Sequence, residues 1–148
     1  FVDVDNSPVL VDDKLYVNSI PGPESILDAN TGNIIRKSEI VASRSPLVIQ
    51  NKLLFALTNG SLLLTDLQLN PITERKITTD AISNIVEWKG EYLLTTVRGQ
   101  LLLVNKQNFD VIEQMHLGHS YSAVFGAVSV AEDKVALLSS RNRLIILK

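Results

Sequence analysis

The chain repeats itself, and that repeat limits its folding options more than any other feature. The segment "SPVLVDDKLYVNSIPGPESILDANTGNIIRK" (7–37) returns as "SPLVIQNKLLFALTNGSLLLTDLQLNPITERK" (45–76) with the same order of apolar runs and turns. A polar pair stands before an apolar triplet four times, at Asp13-Lys14, Asn51-Lys52, Gly90-Glu91 and Asp133-Lys134, in steps of 38, 39 and 43 residues. Gly22, Gly60, Gly99 and Asn142 keep the same three steps, and Asp28, Asp66 and Asn105 keep the first two. Self-similarity at a fixed period of about 40 residues is the mark of a repeat architecture.

Within a unit the apolar period is two. "PVLV", "KLYV", "SIL" and "NIIRK" are short and rich in Val, Ile, Leu and Tyr, which suits strands. Turn chemistry cuts the chain every 8–10 residues. Asp12-Asp13, Asn51, Lys89-Gly90 and Glu132-Asp133 sit at tight hairpins, and Asn59-Gly60 and Arg98-Gly99 at the next turn of their units. A helix does not survive such punctuation. Four antiparallel strands per unit of ~40 residues predict an all-β protein, a β-propeller with about four blades. The expected units are 7–37, 45–77, 82–117 and 122–148 within a single domain or fragment spanning 1–148. Residues 1–5, "FVDVD", form an orphan strand. The fourth unit supplies only three strands. Both loose ends predict either a ring closed by pairing the N-terminal strand with the last blade or a segment of a bigger ring; the reading taken here is a partial or half ring, completed to seven or eight blades by a second copy or by a further segment. Runs such as "SLLLTD" and "QLLLVN" are apolar on both strand faces, as blades packed between neighbours require.

The first unit resembles the PQQ-like (quinoprotein-type) propeller repeat, whose last element has the form "ALDA-x-TG-x-x-x-W". Asp28, Ala29, Thr31 and Gly32 match it, and Arg36 stands near the place of the tryptophan. In repeat style the chain is similar to the BamB-type outer-membrane assembly lipoproteins. That resemblance implies a non-enzymatic scaffold that binds protein partners, without cofactor, at the periplasmic face of the outer membrane. Related sheets in lumenal sensor domains imply an alternative: a regulatory domain in the ER lumen that self-associates through open blade edges. A fragment of a quinoprotein-type enzyme is a third. It would need calcium ligands and a catalytic Asp, whereas the inner strands offer only Glu87.

Composition narrows the functions. The 148 residues are 45% hydrophobic and 20% charged, as in a folded globular chain. A net charge of −2 argues against nucleic-acid binding through a general positive field. The absence of Cys removes disulfides, thiolate nucleophiles and thiolate metal sites. No stretch reaches the ~20 apolar residues of a membrane helix. The chain opens on Phe1 and reads as a piece of a longer protein.

Candidate chemistry is sparse. His116 and His119 are the only histidines and lack a third ligand, so no metal site is expected. Asp3 to Asn6 lacks the glycine and distal glutamate of a calcium loop. Asn59-Gly60-Ser61 matches a glycosylation acceptor but falls in a tight turn. Asp28 is expected to bond backbone amides, with Gly32 left-handed. No catalytic motif occurs. The loops between second and third strands, with the inter-blade connections, carry Arg44, Arg98, Arg141 and Arg143. The opposite turns carry Asp12, Asp13, Asp28, Asp66, Glu91, Glu132 and Asp133. The four arginines are the predicted partner-binding residues, because arginine is enriched at interface hot spots.

Overall fold

The computed structural model describes residues 6–18, 22–118, 123–124 and 126–148. The orphan strand expected at 1–5 lies outside these residues, as does His119. The first sheet holds β1 (Val9–Val11), β2 (Lys14–Val17), β3 (Ser25–Asp28) and β4 (Ile34–Lys37). The second holds β5 (Leu47–Ile49), β6 (Lys52–Ala56), β7 (Ser61–Asp66) and β8 (Pro71–Lys76). The third holds β9 (Ile82–Trp88), β10 (Glu91–Thr96), β11 (Gln100–Val104) and β12 (Val111–His116). The last holds β13 (Ser129–Ala131), β14 (Lys134–Leu138) and β15 (Leu144–Leu147). Each sheet is an antiparallel meander in chain order, four strands in the first three and three in the last. The chain is thus all-β, an arc of propeller blades.

The four inner hairpins are built alike. Asp12, Gln50, Lys89 and Glu132 each open a tight turn with φ between 51° and 55°. Adjacent blades then bury one another. Tyr16 and Ile26 of the first blade pack with Leu53, Phe55 and Leu63 of the second. Leu54 and Leu62 of the second pack with Tyr92, Leu94 and Leu102 of the third. Leu93 and Leu101 of the third meet Val124, Val135 and Leu137 of the fourth. Successive residues of one strand point to opposite faces, so Leu62 and Leu63 serve different interfaces. That is why "SLLLTD" has no polar side. Burying each such leucine contributes about 1.5–3 kcal/mol. The outer strands β4, β8 and β12 are exposed throughout.

A second layer of contacts locks the first two junctions. The turn before each outer strand sends an apolar residue back between the blades. Leu69 (φ 64°, 2% exposed) closes the first junction and Phe109 (φ 59°, 6% exposed) the second. Left-handed backbone costs a non-glycine residue about 1–2 kcal/mol, and the burial of these side chains offsets it. An arginine of the preceding outer strand then reaches over the same turn. Arg36 donates to Asn70 Oδ1 at 3.1 Å. Arg75 donates to Asn108 O at 2.8 Å and pairs with Asp110. The tyrosine hydroxyl of Tyr16 adds a bond to Leu67 O at 2.7 Å.

The repeat alignment at Gly22 is corrected by the hydrogen bonds. Gly60 O accepts from Ile77 N at 3.0 Å and Gly99 O from Leu117 N at 2.9 Å; in the first blade the equivalent acceptor is Glu24 O, bonded by Ser38 N at 3.0 Å. Gly22 falls two residues early because the first blade has a longer loop there. A charged residue therefore stands where the next two blades carry a glycine.

Candidate protein-docking face

Turns and connectors segregate to the two faces of the disc. On one face the loop between second and third strands of the second, third and fourth blades bonds the connector that enters that blade. Thr58 N donates to Val41 O, Val97 N to Ala81 O and Ser140 N to Ala123 O. Gly60 fits beneath the connector that leaves its blade only because it lacks a side chain: a Cβ would lie 2.1 Å from Thr78 O and 2.6 Å from Asp80 O. The predicted arginines belong to this face. Arg98, Arg141 and Arg143 are exposed on the loops of the third and fourth blades, and Arg44 is half-buried in a connector. Arg98 is anchored: its amide donates to Asp80 Oδ2 at 2.9 Å and its Nε lies 3.9 Å from Asp80 Oδ1. Its guanidinium still faces solvent with 78% of the side chain exposed. His116 ends β12, where its backbone pairs with Gln100.

Near the axis on this arc a groove of about 260 Å³ draws on all four blades, with Asn6, Ser7, Arg44, Ser45, Asn84 and Val128 among its walls. Buried amides define it. Asn6 Nδ2 donates to Asn18 Oδ1 at 3.0 Å, and Asn18 Nδ2 to Ala42 O at 3.2 Å. Asn84 Nδ2 donates to Thr95 Oγ1 at 3.0 Å and Val124 O at 3.4 Å. The Asn84 bond ties β9 to the connector before the fourth blade, and the Asn6 and Asn18 bonds tie loops and connectors to one another; the sequence placed Asn6 only in a rejected calcium loop and singled out neither Asn18 nor Asn84.

The opposite face holds the acidic turns. Asp28 Oδ1 accepts from Asn30 N at 2.9 Å and Thr31 N at 2.8 Å, with Gly32 at φ 73° behind it. The backbone bond from Thr31, then its hydroxyl and the Asn30 amide, hold the Asp28 carboxyl below the usual range. At Asp66 slight burial pushes the carboxyl up, but bonds from Asn70 and Gln68 outweigh it and lower the pKa. These carboxylates are structural. Lys14, Lys52, Lys89 and Lys134 stand at the same hairpins as the acids. They offset part of the negative charge of that face.

Among the described residues no group of three or more His, Cys, Asp or Glu is placed to hold a metal ion, and no helix is long and apolar enough to cross a membrane. Glu24 is the exceptional titratable group. It is fully buried, and among the described residues neither of its carboxylate oxygens has a hydrogen-bond partner. Burial pushes its pKa up to about 7.

No protein-family profile matches the sequence, and no curated protein matches it. Solved structures do. BamB from Moraxella catarrhalis superposes with a TM-score of 0.74 at 18% identity, over 98% of this chain and 43% of that one. Hsv2 from Kluyveromyces lactis gives 0.70 at 14% identity, over 100% and 49%. The computationally designed Ika4 protein gives 0.75 at 11% identity, over 99% and 91%. The chain spans less than half the length of BamB and of Hsv2. At these identities the likeness shows the fold, and it is a partial β-propeller.

Proposed function

We propose that this protein is a non-enzymatic protein-interaction scaffold, acting in outer-membrane protein assembly at the periplasmic face of the envelope. The observation that carries the reading is the arginine-bearing loop face, where Arg98, Arg141 and Arg143 project from adjacent blades and Arg44 lies at the axial groove. Planar guanidinium groups on rigid loops suit carboxylates and backbone carbonyls of a protein partner. The BamB likeness supports the choice of compartment through fold analogy. The test is capture from an envelope extract with the double variant Arg98→Glu/Arg141→Glu. Partner recovery should fall at least about tenfold; unchanged recovery rejects this face.

A second reading, a lumenal sensor domain that self-associates through sheet edges, is favoured by one observation. Leu138, Leu144 and Ile146 lie bare on the far side of the fourth blade, 52%, 67% and 55% exposed. Exposed apolar sheet is a pairing surface. A concentration-dependent mass would support this reading, while a stable heterocomplex of one copy would support the first. The third reading, a quinoprotein-type enzyme fragment, predicts a rise in melting temperature on adding calcium and quinone.

A further inference from the structure

Glu24 is a carboxyl sealed where the first two blades meet. Its backbone ends the outer ladder of the first blade: Glu24 N donates to Ile40 O at 2.8 Å, and Glu24 O accepts from Ser38 N at 3.0 Å. Alternation along β3 turns its side chain to the face that carries Ile26, which packs with Leu57 and Leu63 of the second blade. The residue is 0% exposed, and neither carboxylate oxygen has a hydrogen-bond partner among the described residues. A neutral carboxyl survives in such a place; an ionised one, without partner or water, is far more costly. The next two blades carry Gly60 and Gly99 at this position, with no side chain to charge.

The connector over Glu24, residues 38–43, runs between β4 and β5 and is held at its two ends. At one end Ser38 Oγ donates to Glu24 O at 2.9 Å and accepts from Ile40 N at 3.2 Å. At the other, Thr58 N donates to Val41 O at 3.3 Å, Ser43 N to Ala56 O at 3.2 Å, and Ala42 bridges to Leu57. Along its outer side lies a groove of about 650 Å³, walled by Ser38, Ile40, Val41, Leu57, Thr58 and Leu69, which leaves the segment space to move. The charged side chains on the elements packed around Glu24 are Arg36 and Lys37 of β4, Glu39 and Arg44 of the connector, and Glu74 and Lys76 of β8. Arg36 is turned to Asn70 Oδ1 and Lys76 to Asn59 O. Burial alone raises the Glu24 carboxyl to about 7.

We infer that connector 38–43 is a pH-released strap: when Glu24 loses its proton, the strap lifts into the groove beside it and lets the carboxylate reach water, while the two blades stay folded. The opening is local because the strap is fixed by a handful of bonds, whereas the junction beneath it is held by the apolar cluster of Tyr16, Ile26, Phe55 and Leu63. This device is independent of the docking face.

The test is amide hydrogen exchange of the full chain from pH 5 to pH 8, corrected for the intrinsic rate. With the buried carboxyl titrating at about 7 and a released one at 4.5, lifting the strap is favoured roughly 70-fold more at pH 8 than at pH 5. The amides of Ser38, Ile40, Ser43 and Thr58 should lose that much protection, through an opening almost insensitive to low urea. Glu24→Gln should show no such fall. The amides of Leu93 and Leu94, in the middle of β10, should stay better protected and respond steeply to urea, as exchange through global unfolding does. Strap protection that holds up to pH 8, or that falls equally in Glu24→Gln, overturns the proposal. So does a strap that shares the urea slope of β10, because the charge then escapes only when the whole chain unfolds. If Glu24→Gln does not fold, Ser38→Ala loosens the strap and keeps the carboxyl. That variant should exchange faster at pH 5 and retain the pH-dependent fall; a strap indifferent to pH in it overturns the proposal as well.

Discussion

Glu24 should make this protein less stable as pH rises from about 4.5 to about 7, and Glu24→Gln should remove that dependence. The carboxyl is 0% exposed, without partners for either oxygen among the described residues, and its pKa is about 7 against an ordinary 4.5. Below pH 4.5 folded and unfolded chains both hold the proton, so the group contributes no pH dependence. Between 4.5 and 7 the folded chain binds more protons, and stability falls as pH rises. Above 7 the whole difference is present. A shift of about 2.5 units at 1.36 kcal/mol each amounts to about 3 kcal/mol. For a domain of this size that corresponds to a Tm change of about 10 °C. Thermal denaturation followed by circular dichroism at pH 5 and pH 8 measures it. The gap between Glu24→Gln and the parent chain should widen in favour of the variant by about 2.5 kcal/mol from pH 5 to 8, the rest of the effect lying below pH 5. Because the comparison is a difference, other titrating groups cancel. Parallel Tm curves for the two chains across this range would refute the reasoning, since they would mean that the carboxylate ionises in the fold without cost.

Two further substitutions probe the packing that positions the loops. Gly60→Ala should destabilise by about 3 kcal/mol, because its new Cβ meets Thr78 O at 2.1 Å at φ +88°. Gly90→Ala, with φ +79° and nothing within 4 Å, should cost only about 1 kcal/mol; urea midpoints separate the two. Phe109→Ala removes the plug of the second junction and should lose about 3–5 kcal/mol in the same assay. Met115→Ala, on the exposed outer strand β12, should lose under about 1 kcal/mol.

The repeat carried much of the architecture in plain view. Strand period, turn residues and the spacing of Asp13, Asn51, Gly90 and Asp133 are local properties, and local properties survive in a single sequence. The Asp28 turn was legible for the same reason, since its bonds reach only two and three residues ahead. The three strands of the last sheet were legible as well, because the strand period and turn residues run on to Leu147. Alignment by residue type misled at Gly22. The repeated place there is defined by an acceptor carbonyl, which any residue supplies, and the chain puts Glu24 in it.

The sequence by itself therefore determined what each forty-residue module would be, because a hairpin's register and a sheet's two-faced apolarity are set within the module. Only the tertiary structure decided what happens between modules. Leu69 and Phe109 look like ordinary turn residues, and Arg36 and Arg75 like solvated strand positions. Their roles depend on which neighbour the curvature of the arc brings against them. A contact between side chains 34 or 35 residues apart, as in Arg36–Asn70 and Arg75–Asp110, leaves no periodic trace in either strand.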